Sequence, residues 1–257
     1  MDDQKRWVFK ITLNDDLIAA AIVDHMAGAG IKTVSFIGTA DPFGENWLKV
    51  FSGLAGNKGI SVVSSESFQR ADTSVTAQAI KLVLAKPEAV LIAAPGAAAA
   101  LPHTTLFDQG YKGRIYQTHG AAFDQFLKLG GAKVEGTVLA ASGFSVVEIL
   151  PDDRPTKTVG SRYLAEYQSR FGERPAAFGA SVYDAGLLLQ AAIPQALAAA
   201  KPGTPEFRSA LRDAIERTKD IVGAQGVYSM TAEDHSGMDR RSVELIAVKD
   251  GRWSLAK

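Results

Sequence analysis

Between residues 33 and 140 the chain alternates short β-rich runs with longer helix-length stretches. The runs fall at 33–37, 60–64, 89–93, 114–117 and 136–140. Helix-length segments at about 44–58, 73–86, 97–109 and 121–130 separate them. Strand and helix alternating over short connections predict a parallel sheet with helices on its faces. The run 89–93 (Ala-Val-Leu-Ile-Ala) has no polar position, as expected for a strand covered on both sides. A helix over about 15–27 precedes the first strand. Asn14 is its N-cap candidate, and Gly28 or Gly30 stops it.

After residue 140 the pattern changes. Three helical segments follow, at about 156–171, 180–200 and 204–218, with no strand between them. Thr204-Pro205 reads as an N-cap followed by proline at the first helical position. β-like pieces return at 226–230, 242–248 and 253–255, and the polar stretch 231–241 reads as a loop. Three amphipathic helices need a sheet to bury against, and residues 143–230 do not supply one. This half is therefore expected to expose apolar surface.

Composition narrows the function classes. The chain has 257 residues, 46% hydrophobic and 22% charged, with 28 Lys+Arg against 28 Asp+Glu. A net charge of zero argues against a broad nucleic-acid surface, which needs a basic excess. With no cysteine, a disulfide framework, a thiolate metal site and a thiol nucleophile are excluded. No apolar run reaches the roughly 18 residues of a membrane-spanning helix, so no membrane insertion is expected. The first ten residues have no apolar stretch like that of a signal peptide.

Catalytic motifs are missing. His25, His103, His119 and His235 show no metal-ligand spacing, and no metal or other cofactor is expected. There is no Gly-x-Ser-x-Gly elbow and no Walker A loop. Gly28-Ala29-Gly30 follows a helix and precedes a strand, the reverse of a dinucleotide fingerprint, and reads as a helix C-cap. Enzymatic activity is not expected.

In an open parallel sheet, ligands sit beyond the carboxyl ends of the strands. Three loops occupy that place: residues 38–44, Ala94-Pro95-Gly96-Ala97, and Thr118-His119-Gly120-Ala121. Each opens a helical segment whose free N–H groups can face an anion. They serve equally as the tight turns any such fold needs. Phe43 and His119 favour a site, since a large aromatic at a loop tip is costly to expose unless it covers something. His119 reads alternatively as a satisfied structural histidine.

An ordered set of short matches runs along nearly the whole chain. It begins with Trp7-Val8-Phe9-Lys10, Asn14-Asp15, Gly30-Ile31-Lys32-Thr33-Val34 and Asp41-Pro42-Phe43-Gly44. It continues through Asp72-Thr73-Ser74, Pro87-Glu88-Ala89-Val90, Gly110-Tyr111-Lys112-Gly113 and Val134-Glu135-Gly136-Thr137. Tyr167-Gln168-Ser169-Arg170-Phe171-Gly172, Tyr183-Asp184-Ala185, Gly226-Val227-Tyr228 and Lys249-Asp250-Gly251-Arg252-Trp253 complete it. With these the chain resembles the type I periplasmic solute-binding proteins of ABC transporters, in the branched-chain amino acid (Leu/Ile/Val-binding-like) group.

The resemblance implies an α/β fold of two lobes with the ligand in the cleft between them. Residues 1–142, with 240–257 returning to them, would form a complete, doubly wound C-terminal lobe. Residues 143–239 would form part of the N-terminal lobe. A full family member carries a further βα series ahead of Trp7, so the chain resembles a fragment whose export signal lies on the missing part.

By resemblance, the ligand-binding residues are Phe43, Pro95, Gly96, His119, Gly120 and Tyr183. Tyr183 reads alternatively as a core tyrosine. Amino-acid binders of the family place an acid where this chain has His119. The resemblance thus implies a periplasmic binder of a small carboxylate, an aromatic acid or a branched-chain amino acid, working with ABC permease subunits. The alternatives are a ligand-sensing domain of the same fold, or an α/β enzyme drawing on His119 and Asp41.

Overall fold

The computed structural model describes residues 5–256. They form two compact units: residues 5–14 with Ser142–Val243, and Asp15–Ala141 with residues 244–256. The resemblance places residues 1–142 in one lobe. The structure instead joins residues 5–14 to the first unit, where the Lys10 amide donates to the His235 carbonyl at 2.9 Å. The Phe9 and His235 rings also stack, with centroids 4.1 Å apart.

The larger unit opens with α1 (Asp15–Gly28), β1 (Thr33–Thr39), α2 (Pro42–Asn57) and β2 (Ser61–Phe68). It continues with α3 (Thr76–Leu84), β3 (Ala89–Ala93), α4 (Ala100–Asp108), β4 (Arg114–Gln117), α5 (Asp124–Gly130) and β5 (Val138–Ala141). The smaller unit holds α6 (Thr156–Phe171), α7 (Ala177–Ala199), α8 (Pro205–Glu216) and a ribbon of β6 (Ile221–Val222) and β7 (Val227–Tyr228). The chain then returns to the larger unit as β8 (Glu244–Lys249) and β9 (Arg252–Leu255).

In the larger unit a seven-stranded sheet runs β2-β1-β3-β4-β5-β8-β9. The first five strands pair in parallel, and β8 joins β5 antiparallel. β3 is interior and wholly buried, as its unbroken apolar run requires. β2 is an edge strand, and its alternating exposure fits its mixed Ser/Val sequence. α1 packs on α2, which lies on β1, β2 and β3; α3 lies on β1 and β2 beside α4, and α4 packs on α5. A two-residue turn with Asp250 and Gly251 at positive φ joins β8 to β9, as a tight hairpin demands.

Local chemistry fixes the helix ends. Gly30, at φ +77°, closes α1: its amide donates to Ala27 O and the Ile31 amide to Met26 O, both at 3.0 Å. That is a Schellman cap, so Gly28-Ala29-Gly30 is a helix stop. α2 starts at Pro42 behind the N-cap Asp41 and buries Trp47, Phe51 and Ala55 at a spacing of four. Thr204 caps α8 as its sequence predicts, accepting from the Phe207 amide at 3.1 Å.

The smaller unit is built around Asp184 of α7. Its carboxylate, fully buried, accepts from the amides of Ala224 at 2.6 Å and Gln225 at 2.8 Å, and from the Tyr228 hydroxyl at 2.9 Å. Desolvation pushes Asp184 up to about 6, against the pull of these donors. The only strands described in this unit are the two-residue pair β6–β7; β7 falls within the β-like piece expected at 226–230, whereas the sequence pattern does not reveal β6.

Candidate functional site

The strand order reverses between β1 and β3, which lie side by side although β2 comes between them in the chain. At such a point the loops beyond the carboxyl ends of neighbouring strands diverge and leave a crevice. The loops after β1, β3 and β4 meet this edge, and five of the six sequence-derived site residues lie on them.

Phe43 stands on the first turn of α2 and His119 directly after β4; both are half-buried. Their ring centroids are 6.2 Å apart at 61°. Between β1 and β4 runs β3, which delivers Pro95 and Gly96. Gly96, at φ +59°, opens the 3-10 turn Gly96–Ala99. Gly120 is buried, and a β-carbon there would lie 3.1 Å from the Pro95 α-carbon. The absence of a side chain at Gly120 therefore lets the β3 and β4 loops touch. Phe43, Pro95, His119 and Gly120 thus share one edge, with Gly96 next to Pro95.

The cluster holds one further residue that the loop pattern does not reveal. Trp47, fully buried, lies one turn beyond Phe43 on α2. Its ring centroid is 6.3 Å from that of Phe43 and 6.0 Å from that of His119. The signal was the spacing of four from Phe43, which puts both rings on one helix face.

The three loops do not offer anions the same reception. After β1, the Phe43 and Gly44 amides donate to Asp41 Oδ1 at 3.0 and 3.1 Å, so the N-terminus of α2 is already capped. The expectation of free N–H groups on this loop is corrected by that carboxylate. Asp41 also accepts from Thr39 Oγ1 at 2.9 Å and from Arg70 Nε at 2.6 Å. Desolvation raises its pKa, but Arg70, the Gly44 amide and the Thr39 hydroxyl together hold it below the usual carboxylate value. Asp41 is thus committed to structure and badly placed to act as a general base. The turns Gly96–Ala99 and His119–Ala121 carry no side-chain cap. Thr118 Oγ1 and Trp47 Nε1 are buried without a hydrogen-bond partner among the described residues.

The sixth residue, Tyr183, belongs to the smaller unit. It is half-buried on α7, where Arg162 Nη2 donates to its hydroxyl at 3.2 Å. Its ring lies 4.6 Å from that of Tyr163, and both line a hollow of about 800 Å³ with Tyr167, Arg170 and Phe171 of α6. It is therefore neither an isolated core tyrosine nor a lone surface ring.

Residues 2–252 match the family model described as periplasmic binding protein. Among solved structures, the chain is similar to an extracellular ligand-binding receptor from Rhodopseudomonas palustris HaA2. The two are 44% identical with a TM-score of 0.93, and the match covers 100% of this chain and 71% of that one. It shares the fold of a leucine-binding protein from Thermotoga maritima MSB8 (23% identity, TM-score 0.81, 98% of this chain and 67% of that one). It likewise shares the fold of an ABC transporter solute-binding protein from R. palustris in complex with benzoate (18% identity, TM-score 0.77, 96% and 64%). No curated protein matches the chain significantly. No described helix is long and apolar enough to cross a membrane. On the family match and the 44% identity together, the chain belongs to the type I periplasmic binding proteins.

Proposed function

We propose that this chain is the solute-binding component of an ABC-type uptake system, acting in the periplasm with membrane permease subunits. Its ligand is a small carboxylate without an amino group, an aromatic acid by preference. Phe43 supplies a face for the ring, and His119 donates a hydrogen bond to the carboxylate. Pro95, Gly96 and Gly120 shape the wall between them.

The observation that carries this reading is the Phe43–His119 pair, 6.2 Å apart, on the loops that flank β3. An α-amino acid carries an ammonium group, and burying it without a carboxylate partner costs several kcal/mol. The acid on the β1 loop, Asp41, is already held by Arg70 and the α2 amides. His119, neutral or cationic, cannot replace a carboxylate as the ammonium's partner. Proteins of the same fold include one in complex with benzoate and one named as a leucine-binding protein, so the choice between the two classes rests on the residues of the site.

A thermal-shift comparison tests it. Benzoate and substituted benzoates should raise the unfolding temperature in proportion to occupancy, and leucine and valine should not. Stabilisation by leucine with no response to any benzoate would reject the aromatic-acid reading.

A further inference from the structure

We propose that Trp47 sets the ligand specificity of this site, as a positioning residue that holds Phe43 and His119 at the separation a planar ring requires. The proposal deepens the carboxylate-binding reading and rests on it.

Trp47 is fully buried while Phe43 and His119 are half-buried, so the indole lies deeper than the other two rings. The three rings form a closed triangle: 6.3 Å and 50° from Trp47 to Phe43, 6.0 Å and 39° from Trp47 to His119, 6.2 Å and 61° from Phe43 to His119. Such inclined contacts are the arrangement aromatic quadrupoles prefer. Each ring is therefore fixed by the other two, and the indole is the member a ligand cannot displace.

The backbone around the triangle is closely packed. Gly44 lies so near Thr39 that a β-carbon there would collide with the Thr39 backbone. A β-carbon at Gly120 would come within 2.9 Å of the Ala94 carbonyl oxygen. The α2 N-terminus and the β4 loop thus rest directly on β1 and on the loop after β3. Side-chain volume at position 47 then bears on how far Phe43 and His119 lean inward.

The indole nitrogen has no partner among the described residues. Packing a large ring behind the site is its evident contribution, since it makes no hydrogen bond there. Phe shares the flat ring and leaves out the N–H; Leu fills less space and has no flat face. Discrimination between an aromatic and an aliphatic acid should therefore survive Trp47→Phe and fail in Trp47→Leu.

The test is calorimetric titration of the whole chain and both variants with benzoate and with the aliphatic acid 4-methylpentanoate, alongside NMR of the NOEs between the His119 and Phe43 ring protons, the His119 signals being assigned by their loss in His119→Gln. Trp47→Phe should keep benzoate affinity within about threefold, and Trp47→Leu should weaken it by about tenfold or more without weakening 4-methylpentanoate. The His119–Phe43 NOEs should hold in Trp47→Phe and change in Trp47→Leu, because only the second alters the separation of the two rings. Unchanged benzoate affinity in Trp47→Leu, or an equal loss for both probes, would overturn the proposal. If the unmodified chain binds neither probe, the carboxylate reading fails by itself. The NOEs then decide the positioning claim, which falls if they do not change.

Discussion

Gly120 faces the carbonyl of Ala94 so closely that a β-carbon at position 120 would lie 2.9 Å from that oxygen. The contact joins the loops that carry Pro95 and His119, so the candidate site depends on a residue with no side chain. Gly120→Ala forces two backbones apart, and overpacking of this kind costs about 1–3 kcal/mol. Chemical denaturation should show that loss, and benzoate binding should weaken beyond what the loss of folded protein explains.

Trp47 invites a stability prediction apart from specificity. A buried donor without an acceptor is a cost to the fold, about 1–3 kcal/mol in general. Trp47→Phe removes the donor and keeps an aromatic ring, so its denaturation midpoint should equal or exceed that of the unmodified chain. Trp47→Ala leaves a cavity and should cost about 3–5 kcal/mol. A Trp47→Phe variant as unstable as Trp47→Ala would mean that the N–H has an essential partner.

His103 gives the larger unit a pH dependence. Its ring is buried between α4, β4 and β5, near Gln117 Nε2 at 3.4 Å and Thr137 Oγ1 at 3.5 Å. Gln117 donates to Nδ1, which requires the neutral tautomer protonated on Nε2. Burial depresses the imidazole from 6.5 to about 4. Between those values the unfolded chain binds a proton that the folded one refuses. This contribution to stability is present above pH 6.5 and is lost as the pH falls towards 4, about 3 kcal/mol in all. His103→Gln should flatten that part of the curve. An unchanged slope in the variant would show that other groups carry it.

The outer side of α7 offers a fourth expectation. Phe178, Val182 and Leu197 are 65%, 70% and 51% exposed, and Leu189 and Ile193 lie along the same stretch. The opposite side, with Ala180, Leu188, Ala192 and Ala196, is buried. A helix apolar all round is built to be covered on both sides. The chain should therefore bind a dye sensitive to apolar surface and should associate as its concentration rises. Replacing Val182 and Leu189 with glutamate should reduce both effects without loss of helix content by circular dichroism. If the dye response persists, the exposed surface lies elsewhere.

Much of this architecture was legible in the chain. The run at 89–93 is β3 residue for residue, and 156–171 is α6, because uninterrupted apolar and four-spaced patterns leave little choice of period. β7 lies within the β-like run at 226–230, whereas β6 stays hidden because a two-residue strand has no period to read. The assignment of residues 5–14 to the smaller unit depends on long-range contacts to His235, which no local pattern encodes. At the candidate site, Phe43 and His119 were visible as aromatic groups on glycine-bearing loops. Trp47 was not, since a buried tryptophan on an amphipathic helix reads as core. Asp41 reads from sequence as available for chemistry, but its oxygens are occupied by the α2 amides and Arg70, partners that no local pattern encodes.

The central claim is that Phe43 and His119 recognise an aromatic carboxylate, and calorimetric titration of benzoate into the chain and into His119→Ala tests it most directly. The account predicts saturable binding with one site per chain, weakened by about tenfold or more in His119→Ala, since a hydrogen bond to a charged group contributes about 1.5–3 kcal/mol. Equal benzoate affinity in the two proteins, or tight leucine binding with no benzoate heat, would contradict it.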